Sequence, residues 1–184
     1  MFKYIYLFVV TLSYIVATPF LLLLRFKKKY KSSVPARFFL RDNPPFTENG
    51  VHFHVCSYGE AKAIKPLVET FKDETLHFSA ITATGFSVIK EYSKSIRYLP
   101  FEIFLPSWIK RQKALIVVEA ELWYMLFLCS KKRGAKTFLI NARVSSRSYP
   151  KYLRFKWLYK HIFANIDAVY AQSYDDAKRL VQLG

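Results

Sequence analysis

Residues 4–24 run for 21 positions without one charged side chain. As a helix rising 1.5 Å per residue, that run would be about 30 Å long, the thickness of a bilayer's hydrocarbon core. No other stretch restricts the chain so tightly, because backbone amides enter lipid only when they are paired within their own segment. Tyr4 and Tyr6 suit an interface, and Pro19 near the end would bend the helix without forbidding it. Arg25-Phe26-Lys27-Lys28-Lys29-Tyr30-Lys31 follows at once, against a single Lys3 before the run. By the positive-inside rule the N-terminus faces outward and the body of the chain lies in the cytoplasm. A cleaved signal peptide is the rival reading, but the cations stand on the wrong side for one and no A-x-A site follows. Residues 1–31 therefore read as a single-pass inner-membrane anchor with a basic flank.

The basic excess extends beyond that flank. With 29 Lys and Arg against 13 Asp and Glu, the net charge is +16. Such a balance selects anionic partners: nucleic acid, an anionic membrane surface or a phosphorylated substrate. Much of the charge sits beside the apolar run and in residues 151–160, with no nucleic-acid-binding motif, so nucleic acid is set aside. At 184 residues the chain has room for one well-buried domain besides the anchor. Cys56 and Cys129 lie far apart without a CxxC pattern and read as buried, reduced thiols. His52, His54, His77 and His161 lack ligand spacing, so no metal site is expected.

Residues 32–50 read as a connector, with Pro35, Asn43, Pro44, Pro45 and Asn49 and one short helix over 36–40. From residue 51 to 184 strand and helix patterns alternate. Strands are expected over 51–56, 76–81, 96–100, 114–118, 137–140 and 168–171. Helices are expected over 60–68, 86–93, 122–133 and 151–163, with a short or irregular link over 103–111. A last helix, capped by Ser173-x-x-Asp176, runs to the final residues. The segment ALIVV at 114–118 is apolar on both faces, as a central parallel strand must be. Alternation of this kind predicts an α/β fold, a Rossmann-like doubly wound parallel sheet preceded by one transmembrane helix.

Candidate chemistry gathers at the ends of those strands, where doubly wound sheets hold ligands. Glu60 follows Ser57-Tyr58-Gly59 at a strand-to-helix turn. An exposed carboxylate there is favoured as an anion by the helix N-terminus, which suits a base better than an acid. The plainer alternative is that Glu60 only complements the helix dipole. Thr82-Ala83-Thr84-Gly85 closes the second strand as a small, hydroxylated turn. Glu119 and Glu121 close ALIVV, and a strand that apolar does not end in two carboxylates cheaply. Asn141, Arg143, Ser145, Arg147 and Ser148 close the next, where two guanidinium groups and neighbouring hydroxyls suit phosphate. Each cluster also has a structural reading, as a backbone acceptor or a solvated loop.

In order along the chain, HVCSYGE, TATG, YLPFE, ALIVVEAELW, NARVSSRS and QSYDDAKRLVQLG resemble the N-terminal half of the 3-deoxy-D-manno-octulosonic acid (Kdo) transferases. Each motif is moderately specific; six in register make chance agreement improbable. Departures are Tyr58 before Gly59, Glu102 in place of Asp, and Tyr124-Met125 after Trp123. The resemblance implies the N-terminal domain of a GT-B glycosyltransferase, transferring Kdo from CMP-Kdo to the lipid A precursor, lipid IVA. It implies Glu60 as general base with Glu119 or Glu121 in support. Ser57, Gly59, Thr82, Thr84, Gly85 and the 141–148 residues named above then contact substrate. It also implies no cofactor beyond the donor CMP-Kdo, bound mainly by a C-terminal domain that would follow Gly184 or reside on a separate chain. The contrary expectation is an inactive, membrane-anchored module that binds lipid or phosphate.

Overall fold

The computed structural model describes every residue from Met1 to Gly184. Helix α1 (Phe2–Leu24) leads through a 3₁₀ turn (Lys28–Tyr30) to α2 (Ser33–Phe39). The sheet half begins with β1 (Val51–Val55), α3 (Tyr58–Ala63), α4 (Lys65–Glu69), β2 (Leu76–Ala80), α5 (Ala83–Lys90) and β3 (Ile96–Tyr98). A second 3₁₀ turn (Glu102–Phe104) and α6 (Leu105–Trp108) lead to β4 (Ala114–Val118), α7 (Tyr124–Lys132) and β5 (Lys136–Ala142). The chain closes with α8 (Tyr149–Arg154), α9 (Lys156–Phe163), β6 (Ala168–Ala171) and α10 (Tyr174–Leu183).

All six strands pair in parallel, in the order β3-β2-β1-β4-β5-β6. The expected α/β, doubly wound sheet is therefore present. Its order places the topological switch between β1 and β4, where the chain leaves neighbouring strands in opposite directions and opens a crevice at their C-terminal ends.

Apolar alternation fixes which side chains go where. In β1, Val51, Phe53 and Val55 join Phe78, Ala80, Ile116 and Val118 beneath α3 and α5. The intervening His52 and His54 go to the other face and are buried completely. That face is filled by Leu115, Val117 and Leu139 against α6, α7, α9 and α10. Burying a side chain of Leu or Phe size contributes about 1.5–3 kcal/mol, so both faces are well paid in apolar contact.

Three expected elements shift. The helix drawn over 60–68 starts at Tyr58 and divides at Ile64, because Pro66 has no amide to continue the ladder. The Thr82–Gly85 stretch is the first turn of α5 rather than a loop before it, since Thr82 caps that helix by accepting from Gly85 N at 3.1 Å. The basic helix over 151–163 breaks at Phe155, whose φ/ψ of −106°/25° leaves the helical region.

Helix α1 is long and apolar enough to cross a membrane. Here one of its faces lies along the domain. The Phe2 ring stacks on His161 with centroids 3.8 Å apart and meets Tyr124 edge-on at 5.1 Å. The Tyr6 hydroxyl donates to Glu102, and the Tyr14 hydroxyl donates to Phe38 O at 2.6 Å. Phe8, Leu12, Ile15, Val16, Phe20 and Leu23 form the opposite, exposed face.

Candidate active site

The turn from β1 to α3 is built by its own residues. Ser57 is the N-cap, accepting from Glu60 N at 3.3 Å. The Glu60 carboxylate bends back, accepting from Ser57 Oγ at 2.7 Å and from Cys56 N at 2.7 Å. This is a reciprocal cap of the kind Ser-x-x-Glu spacing favours. It leaves Glu60 only 7% exposed, so the expected open, dipole-stabilised carboxylate is instead a sheltered one. Burial raises its pKa above the ordinary value, outweighing the two hydrogen bonds, and the charges of Glu121 and Glu119 push the same way.

Glycine serves two different purposes beside it. A Cβ at Gly85 would stand 2.9 Å from Cys56 O and 3.1 Å from Ser57 O, so α5 reaches the β1–α3 turn only because residue 85 lacks one. Thr82 Oγ1 reinforces the contact by donating to Cys56 O at 2.7 Å, with Thr84 Oγ1 at 3.2 Å. Thr82 and Gly85 thus support the turn from behind. At Gly59 the only atom a Cβ would meet is Ser57 Oγ, 4.0 Å away. Packing does not require glycine at this exposed position, whereas close approach by a substrate would.

The turn after β4 is the second half of the crevice. Glu119 is held at a φ of 59°, a left-handed conformation that costs a non-glycine residue on the order of 1–3 kcal/mol and that collects at functional sites. Glu121 accepts from Trp123 Nε1 at 2.6 Å. Behind it runs a buried chain that the sequence spacing does not announce. Ser79 Oγ lies 2.8 Å from both His52 Nε2 and His54 Nδ1. A serine has one proton to give, so one of these imidazoles must donate to it. The arrangement that satisfies Ser79 and turns no imidazole lone pair toward Glu121 runs His52 Nε2–H to Ser79 and Ser79 O–H to His54 Nδ1. The remaining proton then sits on His54 Nε2, which has no hydrogen-bond partner and points at Glu121 Oε2 from 3.8 Å. That distance is too long for a hydrogen bond but short for a charge–dipole contact.

Burial alone would raise Glu121; His54, Trp123 and the neighbouring Cys56 outweigh it and hold the carboxylate below the ordinary range. Cys56, expected to be buried, is half-buried at the strand end. Its thiol is pushed up to about 12, first by burial and then by Glu121, and so stays protonated. His52, completely enclosed, is held neutral by burial.

The loop after β5 presents Arg143 and Arg147 to solvent, and neither enters an ion pair. Ser145 and Ser148 bond each other, Oγ to Oγ at 2.8 Å, and close a local turn. Asn141, at a φ of 50°, sits in the irregular pairing of β5 with β6. Asp176 of α10 accepts from Val144 N at 2.8 Å, and Arg179 donates to Val144 O at 2.9 Å, so the last helix fixes this loop. Glu102 has a comparable job: its buried carboxylate accepts from Met125 N at 2.8 Å in the first turn of α7. Beside Glu121, Trp123, Tyr152, Tyr159 and Tyr6 line a cavity of about 220 Å³. The structure thus joins Glu60, Glu121 and the Cys56–Ser57 turn directly, and leaves the Arg143–Arg147 loop one strand further out.

Residues 27–184 match the family described as 3-deoxy-D-manno-octulosonic-acid transferase (kdotransferase). A 3-deoxy-D-manno-octulosonic acid transferase of Chlamydia pneumoniae is 29% identical over an alignment covering the whole of this chain and 45% of that protein. One of Haemophilus influenzae is 29% identical across 85% of this chain and 39% of its own length. A bifunctional glycosyltransferase/methyltransferase of Fusobacterium nucleatum is 30% identical across 86% of this chain and 27% of its length. The chain spans less than half the length of each of these relatives.

Proposed function

The chain belongs to the 3-deoxy-D-manno-octulosonic-acid transferase family, and on that premise we propose that it is the acceptor-side half of a Kdo transferase acting on the lipid A precursor, lipid IVA. CMP-Kdo is the donor in this reading, held mainly by a second, GT-B-type domain facing the β1–β4 crevice. Glu60 takes the proton of an acceptor sugar hydroxyl. The hydroxyl oxygen forms the new bond to the anomeric carbon of Kdo, the bond from that carbon to the CMP phosphate oxygen breaks, and CMP leaves with the electron pair. A carboxylate raised above its ordinary value is a stronger base than a free surface glutamate. Glu121, held anionic, and Glu119 keep the crevice negative and so favour proton uptake by Glu60. Arg143 and Arg147 are suited to the phosphates of donor or acceptor.

Membrane attachment is supported by α1, whose exposed face is apolar, and by the cations of residues 25–31, which suit anionic headgroups. The charge asymmetry about the apolar run favours a domain on the cytoplasmic side.

The observation that carries this reading is the sheltered Glu60 with its raised pKa, adjoining a glycine that packing does not require. The test joins this chain to the C-terminal half of the Chlamydia pneumoniae relative and supplies CMP-Kdo and lipid IVA. Glu60→Gln keeps size and most hydrogen bonding, and is expected to lower turnover by about 100-fold or more with little change in acceptor binding. Near-normal turnover would remove Glu60 as the base and shift the role to Glu119 or Glu121.

A further inference from the structure

A second cavity, larger than the one beside Glu121, lies away from the carboxylates. It is an open concavity of about 1170 Å³ between α2, α5 and the edge strand β3, and reaches the end of α1. Arg25, Lys31, Arg41, Lys90, Lys94 and Arg97 line it, against one acid, Asp42. That acid is ion-paired with Arg41 at 3.6 Å, and Arg97 donates to the carbonyls of Pro44 and Ile96 at 3.3 and 2.9 Å. Arg25, Lys31, Lys90 and Lys94 therefore converge without an acidic partner. Four uncompensated cations around one concavity repel one another, and an anion with several acceptor oxygens relieves that repulsion.

The walls are not only charged. Phe26, Phe39 and Phe86 supply apolar surface, and Phe26 is itself 74% exposed. Arg25 and Phe26, both in the lining, follow directly on the exposed apolar face formed by Phe20, Leu22 and Leu23. A free phosphate would use the cations and leave the aromatic walls and the neighbouring apolar face wet. An amphiphile with an anionic head uses both.

We propose that this cavity is a second ligand site, which takes the phosphate headgroup of an anionic membrane lipid while the lipid's chains follow the exposed face of α1. Neither Glu60, Glu119 nor Glu121 lines it, so the site is separate from the crevice and does not depend on the transfer reaction. Its occupant orients the sheet on the membrane by its β3 edge, with Lys90 and Lys94 reading the headgroup from α5 and the turn after it. Ala83, at the start of α5, lines the same cavity, so a bound headgroup lies along the helix whose Thr82 and Gly85 support Glu60.

The experiment uses the full chain and a lipid too short to form bilayers, so that general attraction to a charged surface does not enter. Dihexanoyl phosphatidic acid is titrated against wild type, against Lys90→Gln/Lys94→Gln, and against Lys28→Gln/Lys29→Gln. The last pair removes the same charge beside α1 but from outside the cavity. All four lysines are exposed, so both variants are expected to fold. Binding should weaken about thirtyfold in the Lys90/Lys94 variant, as two contacts of about 1 kcal/mol each would give, and by no more than about threefold in the Lys28/Lys29 variant. Equal losses in the two variants would overturn the site in favour of diffuse charge. Inorganic phosphate binding as tightly as the lipid would overturn the amphiphile, and dihexanoyl phosphatidylcholine binding as tightly would overturn the anionic headgroup.

Discussion

Glu60 and Glu121 follow neighbouring strands at the same edge of the sheet, both largely sheltered, yet their pKa values move in opposite directions. The difference lies in what surrounds each. Glu60 is held by a serine hydroxyl and one amide, both within four residues of it, and feels the charges of two other carboxylates. Glu121 has an indole N–H from its own turn and, from behind, an imidazole in β1 backed by Ser79 of β2. Burial acts on both; the partners decide the sign. Two carboxylates pushed apart in this way can divide labour, one accepting a proton while the other keeps its charge.

If the imidazole chain sets the β4 side of that contrast, His54→Ala should be the most damaging change. It opens a cavity in a fully buried position and leaves Ser79 and Glu121 without their shared neighbour. The expected loss is about 2–4 kcal/mol by urea denaturation. The Glu121 carboxyl should also titrate higher when followed by NMR. A loss below about 1 kcal/mol with an unmoved Glu121 would show that Trp123 alone sustains the difference.

That chain also marks where the sequence stops being readable. The strand-to-helix turn at Glu60 is legible from Ser57-Tyr58-Gly59, but the reciprocal cap that shelters its carboxylate is not. The parallel, doubly wound sheet follows from strand–helix alternation with ALIVV at the centre, whereas the strand order β3-β2-β1-β4-β5-β6 does not. His54 gave no such sign: one histidine among four, without ligand spacing, meets its serine partner only through the β1–β2 register that pairs it with Ser79. The contacts of Glu102 and Asp176 were hidden for the same reason, since each carboxylate serves an amide more than twenty residues away. The TATG segment is legible as a turn, but the backing that Gly85 gives the β1–α3 turn is not, because a glycine needed for close backbone approach looks like one needed for a ligand. The six-cation cavity was unseen, its residues being drawn from segments that are separate in the chain.

The two glycines sharpen the contrast at smaller cost. Gly85→Ala drives a methyl to 2.9 Å from a backbone oxygen, which has no rotamer with which to yield. About 1–3 kcal/mol of stability should be lost. Gly59→Ala meets open space and should leave stability within about 0.5 kcal/mol of wild type. In the joined enzyme its KM for lipid IVA should nevertheless rise. If Gly59→Ala destabilised as much as Gly85→Ala, the case for a ligand at that turn would disappear.

The smallest effect concerns the sign of Glu60's own contribution to stability. Its pKa in the fold lies above the ordinary value of 4.5, so the fold prefers the neutral carboxyl. That preference stabilises fully below the unfolded-state value and is lost as pH rises through the folded-state value. Gln resembles the neutral form at every pH. Glu60→Gln should therefore match wild type near pH 4 and gain on it toward neutrality, by less than about 1 kcal/mol, since losing a first-turn charge opposes the gain. Glu121 is lowered, so its stabilisation is present above the ordinary carboxylate range and lost on acidification through its folded-state value. Glu121→Gln should accordingly be less stable than wild type at neutrality and approach it in acid. Two melting-temperature profiles against pH that diverge in opposite directions would establish the opposed pair. A Glu60→Gln protein that is less stable than wild type at neutral pH would mean that the cap, not the strained charge, governs that turn, and the argument for a tuned base would lose its energetic footing.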